Sequence, residues 1–133
     1  MSRTETANAV HCFLDWLDER CLFLRHLEKE AAEVARTESA SPRYRHLMLQ
    51  KALFLEAMGE EAEPFMNNIP VPMAETARAR FQRYAASAQQ AMDLDSPFYM
   101  SALLYPEDHR PGEPNDLESL HAQLADMAKK EGV

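Results

Sequence analysis

The sequence predicts an all-α fold, a helical bundle of four main helices with one short extra helix. One reason is an apolar stripe near the N-terminus, whose members recur alternately three and four residues apart, as on a helix that packs one side against other helices. A second is that no segment has the two-residue period of a β-strand. The low glycine content, three residues in 133, also suits long helices. The stripe comprises Ala7, Val10, Leu14, Leu17, Cys21 and Leu24.

Capping signals mark the first two helices. Ser2 and Glu5 have the spacing of a capping box, and the run without Pro or Gly that follows predicts a helix over residues 3–36. The pair Ser41-Pro42 places a capping serine before a proline at the first helical position, which predicts a helix over 42–58, ended by Gly59. Residues 60–72 contain three prolines and are predicted to be irregular. Because that segment is long enough to cross the bundle, the order of the helices is left open.

Three further helices complete the predicted fold. We predict a helix over 73–92 and, from Ser96-Pro97, a short extra helix over 97–104 that is halted by Pro106. Residues 106–114 are interpreted as a flexible, proline-rich linker, and Asn115 with Glu118 caps a helix over 115–131. The chain is then a single helical domain over 1–133, with about 65 to 75% of its residues in helices. We expect the last helix to dock on its own chain and to be the least stable one.

The chain is acidic, with 22 Asp and Glu against 14 Lys and Arg and a formal net charge of −8. This balance disfavours nucleic-acid binding, which depends on cationic contacts to phosphate, and favours a basic partner. No signal-peptide core and no apolar run of about 18 residues is present, so we expect a cytoplasmic protein that does not engage a membrane. Cys12 and Cys21 face opposite sides of one helix and cannot form a disulfide within it, which suits a reducing compartment.

Two helices carry more apolar side chains than one packing surface needs. These are Trp16, Phe23, Leu27 and Val34 in the first helix, and Leu49 and Leu53 in the second. Either both helices are central and contact two neighbours each, or the extra side chains form a second interface, for a homodimer or for another protein. The same alternatives apply to apolar side chains outside the main helices, which either cover the bundle ends or stay exposed for a partner. They are Phe65, Met66, Ile69, Val71, Phe98 and Tyr99.

Metal binding is the alternative function. Ferritin-like carboxylate bundles use a Glu-x-x-His step, which Glu118 and His121 match once. Hemerythrin-like bundles use His-x-x-x-Glu and His-x-x-x-x-Asp steps, and the pairs His26 with Glu30 and His121 with Asp126 match these. Metal ligands in a bundle must project into its core, whereas His26 and Glu118 lie off the apolar stripes. We therefore predict no metal and no other cofactor.

Other chemical signals are weak. His11 precedes Cys12, but adjacent side chains on a helix face apart, so this histidine is poorly placed as a base. The three glycines form no phosphate-binding loop. A group of basic side chains is expected to pair with acids of the first and last helices rather than to bind an anion. This group is Arg43, Arg45, His46, Arg78, Arg80 and Arg83.

We therefore expect a non-enzymatic protein–protein interaction module, acting as an adaptor, a regulator or a small dedicated chaperone. A metal-binding helical bundle with an oxidoreductase or storage role is the alternative, and a nucleic-acid-binding module comes third. The candidate partner-binding residues are Trp16, Phe23, Leu27, Leu49, Leu53, Phe65, Met66, Phe98 and Tyr99.

Overall fold

The computed structural model describes residues 2–38 and 41–133. It confirms an all-helical fold with four long helices and one short one. Helices make up 81% of the structure, more than the predicted content, and the described residues contain no strand. Ser39 and Ala40, which connect the first two helices, lie outside the described residues. The helices are α1 (Arg3–Glu38), α2 (Pro42–Met66), α3 (Val71–Asp93), α4 (Pro97–Ala102) and α5 (Asp116–Glu131).

The end of α2 differs from the prediction. Gly59 does not end the helix, which continues to Met66, so the predicted irregular segment over 60–72 is wrong. A Cβ atom at Gly59 would lie 3.6 Å from Cβ of Phe81, so the glycine marks a close approach of α2 to α3 rather than a helix end. Pro64 lies in the last turn, two residues before the end of the helix, so the hydrogen bond that its missing N–H removes is among the last in α2. The connection to α3 spans only 67–70 and cannot cross the bundle.

Four helices form a closed ring with up-down order. Helix α1 contacts α2 and α5, and α3 contacts the same two helices from the other side. In each pair of neighbours, residue numbers rise along one helix as they fall along the other, so the neighbours are antiparallel. For α1 and α2 the contacts that show this are Glu30 with Arg43 and Phe23 with Phe54, and for α1 and α5 they are Leu14 with His121 and Arg25 with Glu118. For α2 and α3 they are Gly59 with Phe81 and Glu63 with Arg78, and for α3 and α5 they are Arg80 with Gln123 and Tyr84 with Asp116.

The core runs the length of this ring. Phe13, Trp16, Phe65 and Phe81 form an aromatic cluster with ring centroids 5.4 to 6.3 Å apart, within the range of favourable aromatic packing. The apolar side of α5, which includes the fully buried Leu117, Leu120 and Leu124, completes the core. This confirms that the last helix docks on its own chain. Within the described part of the chain, no helix is both long enough and apolar enough to cross a membrane.

Candidate protein-interaction site

Helix α4 is a six-residue helix whose two flanks have a defined conformation. The end of α3 is closed by two backbone bonds, from Asp95 N to Met92 O and from Ser96 N to Ala91 O, which is the Schellman pattern. Asp95 therefore adopts a left-handed φ of 48°, which Asp tolerates better than most residues. The Ser96 side chain then caps α4 by accepting a hydrogen bond from the backbone N–H of Tyr99 at 3.2 Å.

The C-terminal flank of α4 is also left-handed. The helix ends at Ala102, two residues before the predicted end at 104, and Leu104 has a φ of 73°. This conformation is unfavourable for leucine. Burial offsets the cost, because the side chains of Leu103 and Leu104 are only 8% and 6% exposed. The flanks of α4 are thus held in one conformation by capping on one side and by core packing on the other.

Four exposed apolar side chains surround α4, and we call them the α4 patch. Phe98 is 74% exposed and Tyr99 53%, and their rings lie 5.6 Å apart. Leu94, at the end of α3, is 58% exposed, and Leu49 of α2 is 39% exposed. Leu94 and Tyr99 line the same groove, and Leu49 lines a second groove with Pro97 and Met100 of α4. Single exposed apolar side chains are ordinary, whereas a group of them around one element is typical of an interaction surface. The α4 patch therefore consists of Leu49, Leu94, Phe98 and Tyr99.

A shallow groove lies on each side of α4. The larger, of about 450 Å³, extends between the end of α3 and the segment that follows α4, and Leu94, Tyr99 and Tyr105 are among its lining residues. The smaller, of about 230 Å³, lies between α2 and α4 and is lined by residues that include Leu49, Pro97 and Met100. Exposed side chains of the α4 patch therefore lie at the edges of two concave surfaces. Such surfaces can accommodate side chains of a binding partner.

A buried lysine holds α4 against the bundle. The Lys51 ammonium donates a hydrogen bond to the backbone carbonyl of Ser101 at 2.9 Å and forms an ion pair with Glu28 of α1 at 3.0 Å. The Lys51 side chain is only 1% exposed, so both partners offset its desolvation. One side chain of α2 thereby ties α4 to α1.

The ion pair is part of a larger polar network. The Tyr105 hydroxyl donates to Glu28 at 2.7 Å and accepts from Arg25 at 3.1 Å. Arg25 in turn binds both carboxylate oxygens of Glu118, at 2.6 and 3.0 Å. The backbone N–H of Asn115 donates to Glu118 as part of the capping box of α5. The network thus links α1, α2 and α5 to the segment that follows α4.

Burial and hydrogen bonding shift several pKa values in and beside this network. Desolvation by burial lowers the pKa of Lys51, although Glu28 opposes the shift. Burial, followed by donation to Glu28, raises the pKa of Tyr105 to about 12. The hydrogen bonds from Arg25 hold the pKa of Glu118 below its ordinary value. Because the pKa of Tyr105 is raised and that of Glu118 is lowered, Tyr105 is protonated and Glu118 is charged at neutral pH. These are the protonation states that the hydrogen bonds require.

The other predicted partner-binding residues lie in two kinds of environment. Leu27 and Met66 are buried in the core, and Trp16 and Phe65 pack on each other and are only partly exposed, so these four are explained by packing within the chain. Phe23 and Leu53 are exposed by 48% and 47%. Phe23 stacks on Phe54 with ring centroids 5.1 Å apart, where α1 meets α2, and Leu53 lies one turn beyond Leu49 on α2.

Several residues of interest were not predicted. Leu94 is a single apolar residue between two aspartates, and no periodic pattern marks it. Lys51 does carry a signal, because it lies four residues from both Leu47 and Leu55 on the buried side of α2. Leu22 was not predicted either and is 57% exposed on α1. Val71, named above as an apolar side chain outside the main helices, is 66% exposed at the start of α3, and both residues lie outside the α4 patch.

The side chains considered as metal ligands have other contacts. Glu118 binds Arg25, Asp126 pairs with Lys130 at 3.1 Å, and a ring nitrogen of His121 lies 3.1 Å from the backbone oxygen of Leu14. His26 is exposed on α1. Within residues 2–38 and 41–133, no three His, Cys, Asp or Glu side chains are grouped so that they could hold a metal ion.

The basic side chains on α2 and α3 also make contacts within the chain. Arg43 pairs with Glu30 of α1, as expected. Arg45 pairs instead with Asp95, and Arg78 with Glu63 of α2. Arg80 donates to Gln123 of α5. Cys12 is exposed, Cys21 is buried, and both are free thiols.

Comparison of the whole chain with protein-family models, with curated proteins and with solved structures found no match.

Proposed function

We propose that the protein is a non-enzymatic interaction module that binds a segment of another protein through the α4 patch, as an adaptor, regulator or small dedicated chaperone of the cytoplasm. The observation that carries the proposal is the grouping of Leu49, Leu94, Phe98 and Tyr99 around one short helix, with a groove on each side. Burying an aromatic or leucine side chain stabilises a complex by roughly 1.5–3 kcal/mol, so a few such contacts give useful affinity.

The fixed conformation of α4 supports this function. Its flanks are held by the Schellman closure at the end of α3 and by the buried Leu103 and Leu104. In addition, Lys51 of α2 donates a hydrogen bond to the backbone of Ser101 in the last turn of α4. A surface that is already ordered loses less conformational entropy on binding than a mobile one. The α4 patch is therefore suited to a partner that adapts to it.

Charge favours another protein over a second copy of this chain. Residues 93–133 carry nine acidic against three basic side chains, and the whole chain has a net charge of −8. Two copies that meet through their α4 patches bring these acidic segments together, which is unfavourable. A different protein has no such constraint.

The proposal is tested by selecting random sixteen-residue peptides displayed on phage against the full chain. The selected peptides are then measured against the double variant Phe98→Ser/Tyr99→Ser and against the matched control Leu22→Ser/Phe23→Ser, which removes exposed apolar side chains on α1. Because Leu22, Phe98 and Tyr99 are more than half exposed and Phe23 is half-exposed, circular dichroism should show both variants folded. We expect the α4 variant to weaken binding at least about tenfold, as loss of an aromatic anchor does, and the control to have little effect.

Two results would contradict the proposal. One is that no peptide is enriched, or that enriched peptides bind all three proteins equally. The other is that light scattering after size exclusion shows a homodimer, and that the Phe98→Ser/Tyr99→Ser variant is a monomer. The α4 patch would then serve self-association.

A further inference from the structure

We infer that the segment bound by the α4 patch is basic, with Lys or Arg side chains interspersed among apolar ones. This inference rests on the proposed function and specifies its partner. It is carried by the charges around the patch, by the local structure that places them there and by the aromatic character of the exposed side chains.

Exposed acidic side chains border the α4 patch on both sides along the chain. Asp93 and Asp95 flank Leu94, and Glu107 and Asp108 follow Pro106, which lines the larger groove. Asp116 is the charged residue of that lining. On the α2 side, Arg45 lines the smaller groove, but its guanidinium lies 2.7 Å from the Asp95 carboxylate. After this pairing, residues 93–116 still carry more acidic than basic side chains, so the charge at the border of the patch is negative. The acids are Asp93, Glu107, Asp108, Glu113 and Asp116, and the one Lys or Arg is Arg110.

The helix dipole disfavours the acid at the end of α3. A helix C-terminus carries a partial negative charge, which basic side chains in the last turn normally offset. The last turn of α3 has no basic residue and ends on Asp93. By contrast, Asp116 and Glu118 lie in the first turn of α5, where acids are favourable. Gln89 donates a hydrogen bond to Asp93 at 2.8 Å, which offsets part of this cost but leaves the negative charge beside Leu94.

The exposed side chains suit the same partner. Lys and Arg have long apolar stems that pack on aromatic rings, while their charged ends reach towards carboxylates. Phe98 and Tyr99 present exposed rings, and a cation over such a ring is attracted by its π-electrons. A basic, partly apolar segment can thus use the rings, the grooves and the acidic border together.

The phage selection described above provides the test, with a different readout. Peptides whose binding depends on Phe98 and Tyr99 are sequenced, and their mean charge is compared with that of the unselected library. We expect the selected set to be enriched in Lys and Arg. Binding of these peptides should weaken as salt is raised from about 50 to about 500 mM, because salt screens exposed charges.

Charge-reversal variants locate the effect. The double variant Glu107→Lys/Asp108→Lys should weaken binding of a selected peptide at least about fivefold. Its control is Glu60→Lys/Glu61→Lys, which changes the net charge by the same amount on an exposed part of α2, about 15 Å along the helix from Lys51. The control should change binding less than about twofold.

The inference is overturned if peptides that require Phe98 and Tyr99 are neutral or acidic, or if the two charge-reversal variants have equal effects. In either case the proposed function still stands, because binding depends on the α4 patch. If no peptide requires Phe98 and Tyr99, the proposed function fails and the inference fails with it.

Discussion

The ammonium of Lys51 lies 3.0 Å from the carboxylate of Glu28, and the lysine side chain is only 1% exposed. The same ammonium binds the backbone of α4 at Ser101, so an ion pair between α1 and α2 also supports the α4 patch. Breaking one partner of such a pair leaves an uncompensated charge in the core, whereas replacing both by uncharged groups often costs little.

Single and double substitutions of this pair should therefore differ. We expect Lys51→Met to lower the free energy of unfolding by about 3 kcal/mol, because it leaves the Glu28 carboxylate, which is 17% exposed, with the Tyr105 hydroxyl but without its cation. The double variant Lys51→Met/Glu28→Gln should recover at least half of that loss. Urea denaturation measures both values. Equal losses in the single and double variants would show that the two residues are not coupled.

The pairing of Glu118 with Arg25 should make stability depend on pH in the acid range. The hydrogen bonds from Arg25 hold the folded-state pKa of Glu118 below the ordinary glutamate value of 4.5, so its contribution to stability is present above that value and is lost as pH falls through the lower, folded-state pKa. Glu118→Gln keeps a side chain that can complete the capping box. It should lower the free energy of unfolding at pH 7 by about 1 kcal/mol and reduce the loss of stability below pH 4.5.

The control for this prediction is Glu30→Gln, which removes an exposed pair with Arg43. It should change stability less at pH 7, because solvent screens exposed ion pairs. The same acid dependence in Glu118→Gln as in the unsubstituted protein would contradict the role given to Glu118.

Two glycine substitutions should have opposite signs. Gly59 lies inside α2, and a Cβ there would meet Phe81 at an ordinary contact distance, so Gly59→Ala should stabilise the protein by about 0.5–1 kcal/mol through helix propensity. Gly132 ends α5 with a left-handed φ of 74°, so Gly132→Ala should destabilise it by about 1 kcal/mol. Thermal unfolding measures both. Destabilisation by Gly59→Ala would show that α2 and α3 leave no room for a methyl group beside Phe81.

Helix α5 should still open before α1 under native conditions. It has 16 residues, and helices of this length are marginal without tertiary contacts. Arg25 joins it to α1 through Glu118, so Arg25→Met should speed hydrogen exchange over 115–131, whereas Arg43→Met, which breaks an exposed pair, should not. Protection of 115–131 equal to that of 10–31 in the unsubstituted protein would show that α5 is not the least stable helix.

The sequence was sufficient for the fold class because apolar periodicity and capping residues act locally. It predicted the wrong end for α2, because the helix continues through Gly59, which packs against Phe81 of α3, and extends two residues past Pro64. These are tertiary and positional effects that local signals do not contain. Of the α4 patch, Leu49, Phe98 and Tyr99 were predicted as apolar side chains in unusual places. Leu94 was missed because its exposure follows from the end of α3.

The distinction between core and interface could not be made from periodicity. Trp16 and Leu27 lie on the same extra face of α1 as Phe23, yet the first two pack within the chain and Phe23 is half-exposed. The difference depends on the position of α2 relative to α1, which the pattern of apolar residues does not specify. Likewise, the position of Lys51 on an apolar stripe indicates that a charged side chain is buried in α2. Its partners Glu28 and Ser101 follow only from the three-dimensional packing.

The central claim is that the α4 patch binds a partner segment, and hydrogen exchange of the full chain with and without a saturating selected peptide tests it most directly. We predict that added protection lies over residues 94–105 and in the adjoining part of α2 around Leu49, with none over the exposed face of α1 that includes Leu22 and Phe23. Protection confined to α1, or absent around α4 while the peptide is bound, would contradict the account.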